Sequence, residues 1–269
     1  MMELLAPGIG LWRNTFELSD DFIKRLWKER YEDERDEEWV DDRIGFRRHY
    51  ENKSHGPIRV RNFPVGGLGD SEIDKVQLML NEVMLKCLTE YMKEYPVICD
   101  DVQWQEAWRL IYYYPGAKMG LHSDNTPGRI FRDPRDIGQF DLDPVAPSRV
   151  LCGLQYLNDC VPDDDPESGK FTGGEISWPY LGVYDYMPSK GDLVIYPANF
   201  LHAHKVNPVL AGYRIANLCC FSQGKMPDSS VGYGEEGSFK HPMESFRGGN
   251  MYLDLRDRDN IKWNEVWNG

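Results

Sequence analysis

Apolar positions recur with two different periods along this chain, and the change falls near Trp104. Upstream, Phe22, Ile23, Leu26, Trp27 and Tyr31 keep helical spacing in the segment from Ser19 to about Val40. Farther on, Ile73, Val76, Leu80, Val83, Met84, Cys87, Leu88 and Tyr91 repeat at helical spacing until Pro96 stops the pattern, with Ser71 as N-cap and Asp74 three residues on. Both stripes predict helices that bury one face in a core. The first runs into nine carboxylates between Glu29 and Asp42, which read as a solvated face. From Trp104 the pattern shortens into WRLIYYY, SRVLCGLQYLN, GGEISWP, GDLVIYP and YRIANLCCF, separated by clusters of Gly, Pro and Asp. Such runs predict antiparallel strands. Helices followed by many strands suit a mainly β, α+β chain, in which helices brace a β-sandwich or jelly roll.

The 269 residues fit a single domain, divided into helical support over 1–100, a β core over 104–222 and a C-terminal extension over 223–269. A composition of 41% hydrophobic and 28% charged residues is that of a globular protein, and 25 Gly with 17 Pro supply many turns. Charge narrows the partners. A net charge of −13 repels a polyanion, so no nucleic acid is expected, although Arg43, Arg47, Arg48, Lys53, Arg59 and Arg61 form a local cationic island. The opening MMELLAPGIGLW lacks a basic leader pattern, and no window holds the roughly 18 apolar residues of a membrane span. A cytoplasmic protein without a membrane partner is expected. The six cysteines show no C-x-x-C spacing and read as buried reduced thiols.

Two histidines have an acid two residues on. His49 with Glu51 sits in the cationic stretch, with no strand pattern on either side. His122 with Asp124 follows a strand and a Pro-Gly turn in YYYPGAKMGLHSDN. Residues two apart on a strand share a face, so this imidazole and carboxylate can bind one metal ion. About eighty residues on, His202 and His204 are likewise two apart, and either could supply a third ligand on an extended strand. Between Asn125 and Ser148 lie 24 residues with four prolines and no periodicity. Starting directly after Asp124, the segment is expected to form a mobile lid over the active-site mouth.

The order H-x-D, distant His, then Arg ten residues later resembles the iron(II)- and 2-oxoglutarate-dependent dioxygenases, in particular the prolyl 4-hydroxylase-like branch. His204, Val206, Pro208, Val209, Gly212 and Arg214 match that family's tail, H-x-V-x-P-V-x-x-G-x-R, which favours His204 over His202 as the ligand. GGEISWP and KGDLVIYP resemble its Gly-Gly-acid strand and the Gly-Asp turn before its metal strand, so the likeness covers about residues 104–222. The resemblance implies a double-stranded β-helix that binds Fe(II) through His122, Asp124 and His204. It implies 2-oxoglutarate as cosubstrate and O2 as oxidant, with hydroxylation of an unactivated C–H in a small molecule, amino acid or peptidyl residue and release of succinate and CO2. Halogenases of similar type lack the metal carboxylate, whereas Asp124 is present here. Two imidazoles and a carboxylate leave three positions on six-coordinate iron, enough for a bidentate oxo acid and dioxygen. The far carboxylate of the cosubstrate needs a specific cation in an acidic chain, and the planar fork of Arg214 suits it. By the same resemblance Tyr156 joins Arg214, while Tyr114, and less directly Tyr112, line the cosubstrate site. The alternative from another class is a non-catalytic ligand-binding or sensing protein on the same fold. Oligomeric state and substrate identity are not encoded in any motif of this chain.

Overall fold

A computed structural model describes residues 1–33, 46–47, 58–63, 72–126, 145–162, 169–226 and 252–256. Along the chain come β1 (Glu3–Ala6), β2 (Ile9–Trp12), α1 (Asp20–Asp33), β3 (Phe46–Arg47), β4 (Ile58–Phe63) and α2 (Glu72–Glu94). The strands β5 (Trp104–Glu106), β6 (Trp108–Tyr113), β7 (Met119–His122), β8 (Arg149–Tyr156), β9 (Phe171–Gly173) and β10 (Ile176–Trp178) follow. The last are β11 (Val183–Tyr186), β12 (Leu193–Pro197), β13 (His204–Val206), β14 (Val209–Gly212), β15 (Arg214–Ser222) and β16 (Tyr252–Asp254).

Eight of these strands form a jelly roll. In one sheet β6, β15, β8 and β12 lie side by side; in a second, β7, β13, β10 and β11 do. The first and last of the eight, β6 and β15, are therefore neighbours, and the chain passes repeatedly between the two sheets, as a double-stranded β-helix requires. Pairing is antiparallel throughout the two sheets. The larger sheet is extended beyond β12 by β2 and β1, and beyond β6 by β4 and β3.

Two cores result from strand alternation. Residues on the outer face of the larger sheet, among them Leu151, Leu193 and Ile215, pack against Leu80, Met84 and Leu88 of α2 and Phe22, Ile23 and Leu26 of α1. Ser19 caps α1 by accepting the Phe22 N–H at 3.1 Å. Gly153 permits close approach of α2, because a Cβ there would stand 2.5 Å from the Met84 thioether. Buried amides set the helix in register on the sheet: Gln155 Nε2 donates to Leu80 O at 2.9 Å, Asn217 Nδ2 to Gln155 Oε1 at 3.1 Å, and Gln105 Nε2 to Asn81 Oδ1 at 2.9 Å. The inner core lies between the sheets and includes Tyr113, Cys152, Tyr156, Trp178, Tyr196 and Val206.

The mainly β jelly roll and the bracing helices agree with the sequence reading, but the N-terminal support is not purely helical. It contributes β1–β4 to the larger sheet. ELLA and IGLW are too short and too uniformly apolar to show alternation, and IRVRNF alternates inside the stretch read as a cationic island. The six cysteines are free and all but Cys160 are buried. Among the described residues no helix is long and apolar enough to cross a membrane. Ser71, His49, Glu51, His55 and His241, together with 127–144 of the expected lid, lie outside the described residues.

Candidate metal centre and anion pocket

Strand pairing builds the centre. His122 and His204 are direct partners across the β7–β13 ladder, so both imidazoles stand on one face, their ring centroids 4.4 Å apart. Asp124 follows two residues after His122. The donor atoms of His122, Asp124 and His204 all lie within 4.8 Å of one another. His122 Nε2 is 3.6 Å from Asp124 Oδ1, and His204 Nε2 is 3.9 Å from Asp124 Oδ2. Each ring turns its other nitrogen to a backbone carbonyl: His122 Nδ1 lies 2.8 Å from Gly120 O, and His204 Nδ1 lies 3.3 Å from His202 O. A carbonyl can only accept, so it fixes the proton on Nδ1 and leaves the Nε2 lone pair for a metal.

The surroundings keep Asp124 and His204 in their ligating charge states. Burial opposes ionisation of Asp124, but His204, His122, the Tyr196 hydroxyl and Arg149 outweigh it and hold the carboxyl at about 2. Burial first, then His122, pushes His204 down to about 4, against the attraction of Asp124. At neutral pH the centre is therefore a carboxylate with a neutral imidazole at His204. Tyr196 Oη donates to Asp124 Oδ2 at 2.8 Å, and Arg149 Nη1 donates to the Asp124 backbone carbonyl at 3.0 Å. Arg149 is itself held by Glu106, through Nε to Oε1 at 2.6 Å and Nη2 to Oε2 at 2.8 Å. Asn125 N donates to Ala198 O at 3.1 Å, which secures the backbone just past the carboxylate. His122, with its side chain 31% exposed against 5% for His204, marks the open side.

Deeper between the sheets lies a second unusual group. Arg214, at the start of β15, is 1% exposed, and among the described residues it forms no ion pair. Its guanidinium carbon sits 4.6 Å from the Tyr113 ring centroid and 5.3 Å from that of Tyr156. Among the described residues, Arg214 Nε and Tyr156 Oη are buried without a hydrogen-bond partner. Burial pushes the Tyr156 phenol up to about 12, against the pull of Arg214, so it is a neutral donor. Gly174, at φ +67°, leaves room for the arginine stem, since a Cβ there would lie 3.2 Å from Arg214 Cδ. A buried cation without a counter-ion is costly, and two ring faces offset only part of that cost. An anion with donors on several sides would complete the pocket.

No protein-family model matches the chain, and no curated protein does. Solved structures of similar architecture exist. A viral collagen prolyl hydroxylase from Paramecium Bursaria Chlorella virus-1, in complex with 2OG, is 17% identical, with a TM-score of 0.48 over 81% of this chain and 97% of that one. A Pseudomonas putida prolyl-4-hydroxylase is 18% identical, with a TM-score of 0.46 over 81% and 94% of the two chains. A prolyl hydroxylase from Trichoplax adhaerens, in complex with a hypoxia inducible factor peptide fragment, is 14% identical, with a TM-score of 0.49 over 80% and 84%. The chemistry proposed for this chain rests on its own residues.

Of the residues expected at the site, His122, Asp124 and His204 come together, and so do Arg214 and Tyr156. Tyr112 and Tyr114 do not join them. Arg214 pairs with Tyr113 across the β6–β15 ladder, so Tyr113 shares its face, and alternation turns Tyr112 and Tyr114 outward into the core beneath the helices. Tyr114 packs edge-on against Tyr213 there, 5.4 Å between centroids. His202 is not on an extended strand. Phe200–His202 form a 3-10 turn, which breaks the two-residue parity, and the ring bonds outside the group of His122, Asp124 and His204. Its Nε2 lies 3.2 Å from Pro7 O and its Nδ1 lies 3.0 Å from Asn199 Oδ1. Tyr196, Arg149 and Tyr113 were missed. A basic residue opening the apolar run RVLCGLQY, and a tyrosine two residues from Val194 on β12, were the available signals.

Proposed function

We propose that the protein is an iron(II)- and 2-oxoglutarate-dependent oxygenase that hydroxylates a C–H bond of a small molecule, amino acid or peptidyl residue. One observation carries this reading: a buried, unpaired Arg214 and a two-histidine, one-carboxylate metal group share the interior of one jelly roll. The donor set suits iron(II), and it leaves room for further ligands. Arg214 Nε and Tyr156 Oη, both lacking partners, fit the far carboxylate of a dicarboxylic oxo acid. With iron(II), 2-oxoglutarate and O2 bound, such a centre supplies oxidative decarboxylation of the oxo acid to succinate and CO2, coupled to oxygen insertion into substrate.

The chain's own part is binding and orientation. His122 and His204 present Nε2 because Gly120 and His202 carbonyls hold Nδ1. Tyr196 steadies one carboxylate oxygen of Asp124, leaving Oδ1 toward His122. Arg149, braced by Glu106, fixes the Asp124 backbone. Arg214 binds the cosubstrate at its distal end, with Tyr156 as second donor and the Tyr113 ring as floor. The test is anaerobic addition of iron(II) and 2-oxoglutarate, which should give a weak visible charge-transfer band absent from His204→Ala, followed by substrate-dependent succinate release in air. Failure of the wild type to give the band would overturn the reading.

A further inference from the structure

The indole N–H of Trp178 plays no part in the account above, yet it borders the metal centre. In the β10–β13 ladder Ile176 pairs with Val206 and Ser177 with Lys205, so the register continued by one residue sets Trp178 beside His204. His204 in turn pairs with His122. The inner face of the smaller sheet therefore reads Trp178, His204, His122 across three neighbouring strands. The Trp178 ring lies 6.0 Å from the His204 ring and 5.6 Å from that of Tyr196, the residue bonded to Asp124. Trp178 is fully buried, and among the described residues its Nε1 has no hydrogen-bond partner.

Phenylalanine would fill most of that space without leaving a donor unmet in a dry interior. An indole N–H can only donate, so its missing partner is an acceptor. Arg214 and Tyr156 belong to the larger sheet, whereas Trp178 stands beside a metal ligand on the smaller one. The two ends of an oxo acid bound between the sheets are thus served by different residues. We propose that Trp178 is a further ligand-binding residue, its Nε1–H donating to the metal-chelating carboxylate of a 2-oxo acid. This rests on the cosubstrate assignment above, and it adds a donor that selects for the oxo-acid end independently of the distal carboxylate.

Calorimetry on the full chain loaded with Mn(II), a redox-silent stand-in, separates the two ends by using 2-oxoglutarate and pyruvate as probes. Pyruvate has the same chelating end and no distal carboxylate. Trp178→Phe should weaken both oxo acids by the same factor, about tenfold for a lost hydrogen bond to a charged acceptor, and leave Mn(II) affinity unchanged. Arg214→Met should weaken 2-oxoglutarate alone. Trp108, whose buried indole Nε1 also lacks a partner but sits in the outer core, is the control, and Trp108→Phe should alter neither affinity. In the wild type loaded with Zn(II), the Trp178 indole proton resonance should move downfield when either oxo acid is added, a readout that needs no variant to fold. Equal oxo-acid affinities in wild type and Trp178→Phe, or an unmoved resonance, would overturn the proposal. A parallel fall in Mn(II) affinity would also do so, by making Trp178 a packing support for His204. A wild type that binds Mn(II) but neither oxo acid would instead remove the cosubstrate assignment, and this inference with it.

Discussion

Arg149 and Arg214 are both buried, 7% and 1% exposed, at the starts of strands in the same sheet, but their surroundings are opposite. Arg149 meets Glu106 through two hydrogen bonds, and Glu106 is held further by Arg109 and by Ser222 Oγ at 3.4 Å. Arg214 meets two aromatic faces and, among the described residues, no carboxylate. A paired buried cation is architecture, because its desolvation is offset inside the protein. An unpaired one lacks that offset inside the protein, which makes it a candidate anion site. Removing each guanidinium therefore separates the two roles.

Arg149→Met should have the largest effect. It takes one of two cations from the buried Glu106, leaving Arg109 and Ser222 as its partners, and releases the Asp124 carbonyl, so loss of about 3 kcal/mol in urea unfolding is expected, with metal affinity falling as well. If Arg149→Met melts like wild type, the paired arginine is not structural. Arg214→Met should leave the ligand-free protein as stable as wild type or more so, since a buried charge is replaced by an apolar chain of similar length. Its cost appears on binding: the loss of a charge-assisted contact, about 2–3 kcal/mol, predicts roughly thirtyfold to hundredfold weaker 2-oxoglutarate by calorimetry. A stability loss as large as that of Arg149→Met would remove the contrast.

The difference between these regions also marks what the sequence could reveal. His122 and Asp124 were legible because the two are neighbours in the chain, although only His122 stands on β7 and Asp124 falls in the turn after it. The longer strands of the larger sheet were legible because β-branched and aromatic runs end in Gly and Pro. The choice between Tyr112, Tyr113 and Tyr114 was not, since parity on β6 is set by its pairing with Arg214, a hundred residues away in the chain. Arg149 was invisible for the same reason: its partner Glu106 sits on a different strand, 43 residues back. The inner face resembles a family pattern because the motif residues converge there. The outer seam of Gln77, Gln155 and Asn217 carries no motif at all.

Acidification should sharpen the comparison at the metal side. His204 stays neutral in the folded protein down to about 4, whereas an unfolded histidine takes a proton near its ordinary value of about 6.5. Between those values the unfolded state binds more protons, so apo stability falls as pH drops through this window. About 1–2 kcal/mol is expected between pH 7 and 5. Asp124, held at about 2, remains ionised across that range and adds nothing to the slope. Urea midpoints of the metal-free protein at the two pH values measure the effect, and His204→Gln should flatten it. A wild type whose midpoint does not change would show that His204 is not buried neutral.

His202→Ala should have the smallest effect and bears on the edge of the same site. Both His202 ring nitrogens face oxygens, Pro7 O and Asn199 Oδ1, so a neutral ring can donate to one of them only. Burial lowers the His202 pKa, which favours that neutral form. The ring also stands 2.7 Å from where a Gly8 Cβ would be, so it fills the turn between β1 and β2. Tyr91 Oη already donates to Gly8 O at 2.9 Å, which leaves the hairpin a second attachment when His202 is gone. The loss should therefore be about 1 kcal/mol, the value of one ordinary hydrogen bond. The His204 proton is held by the His202 backbone carbonyl rather than by its side chain, so metal affinity should stay within a fewfold of wild type. Metal titration of His202→Ala beside His204→Ala decides the point. Loss of metal in the first variant with retention in the second would move the third ligand from His204 to His202.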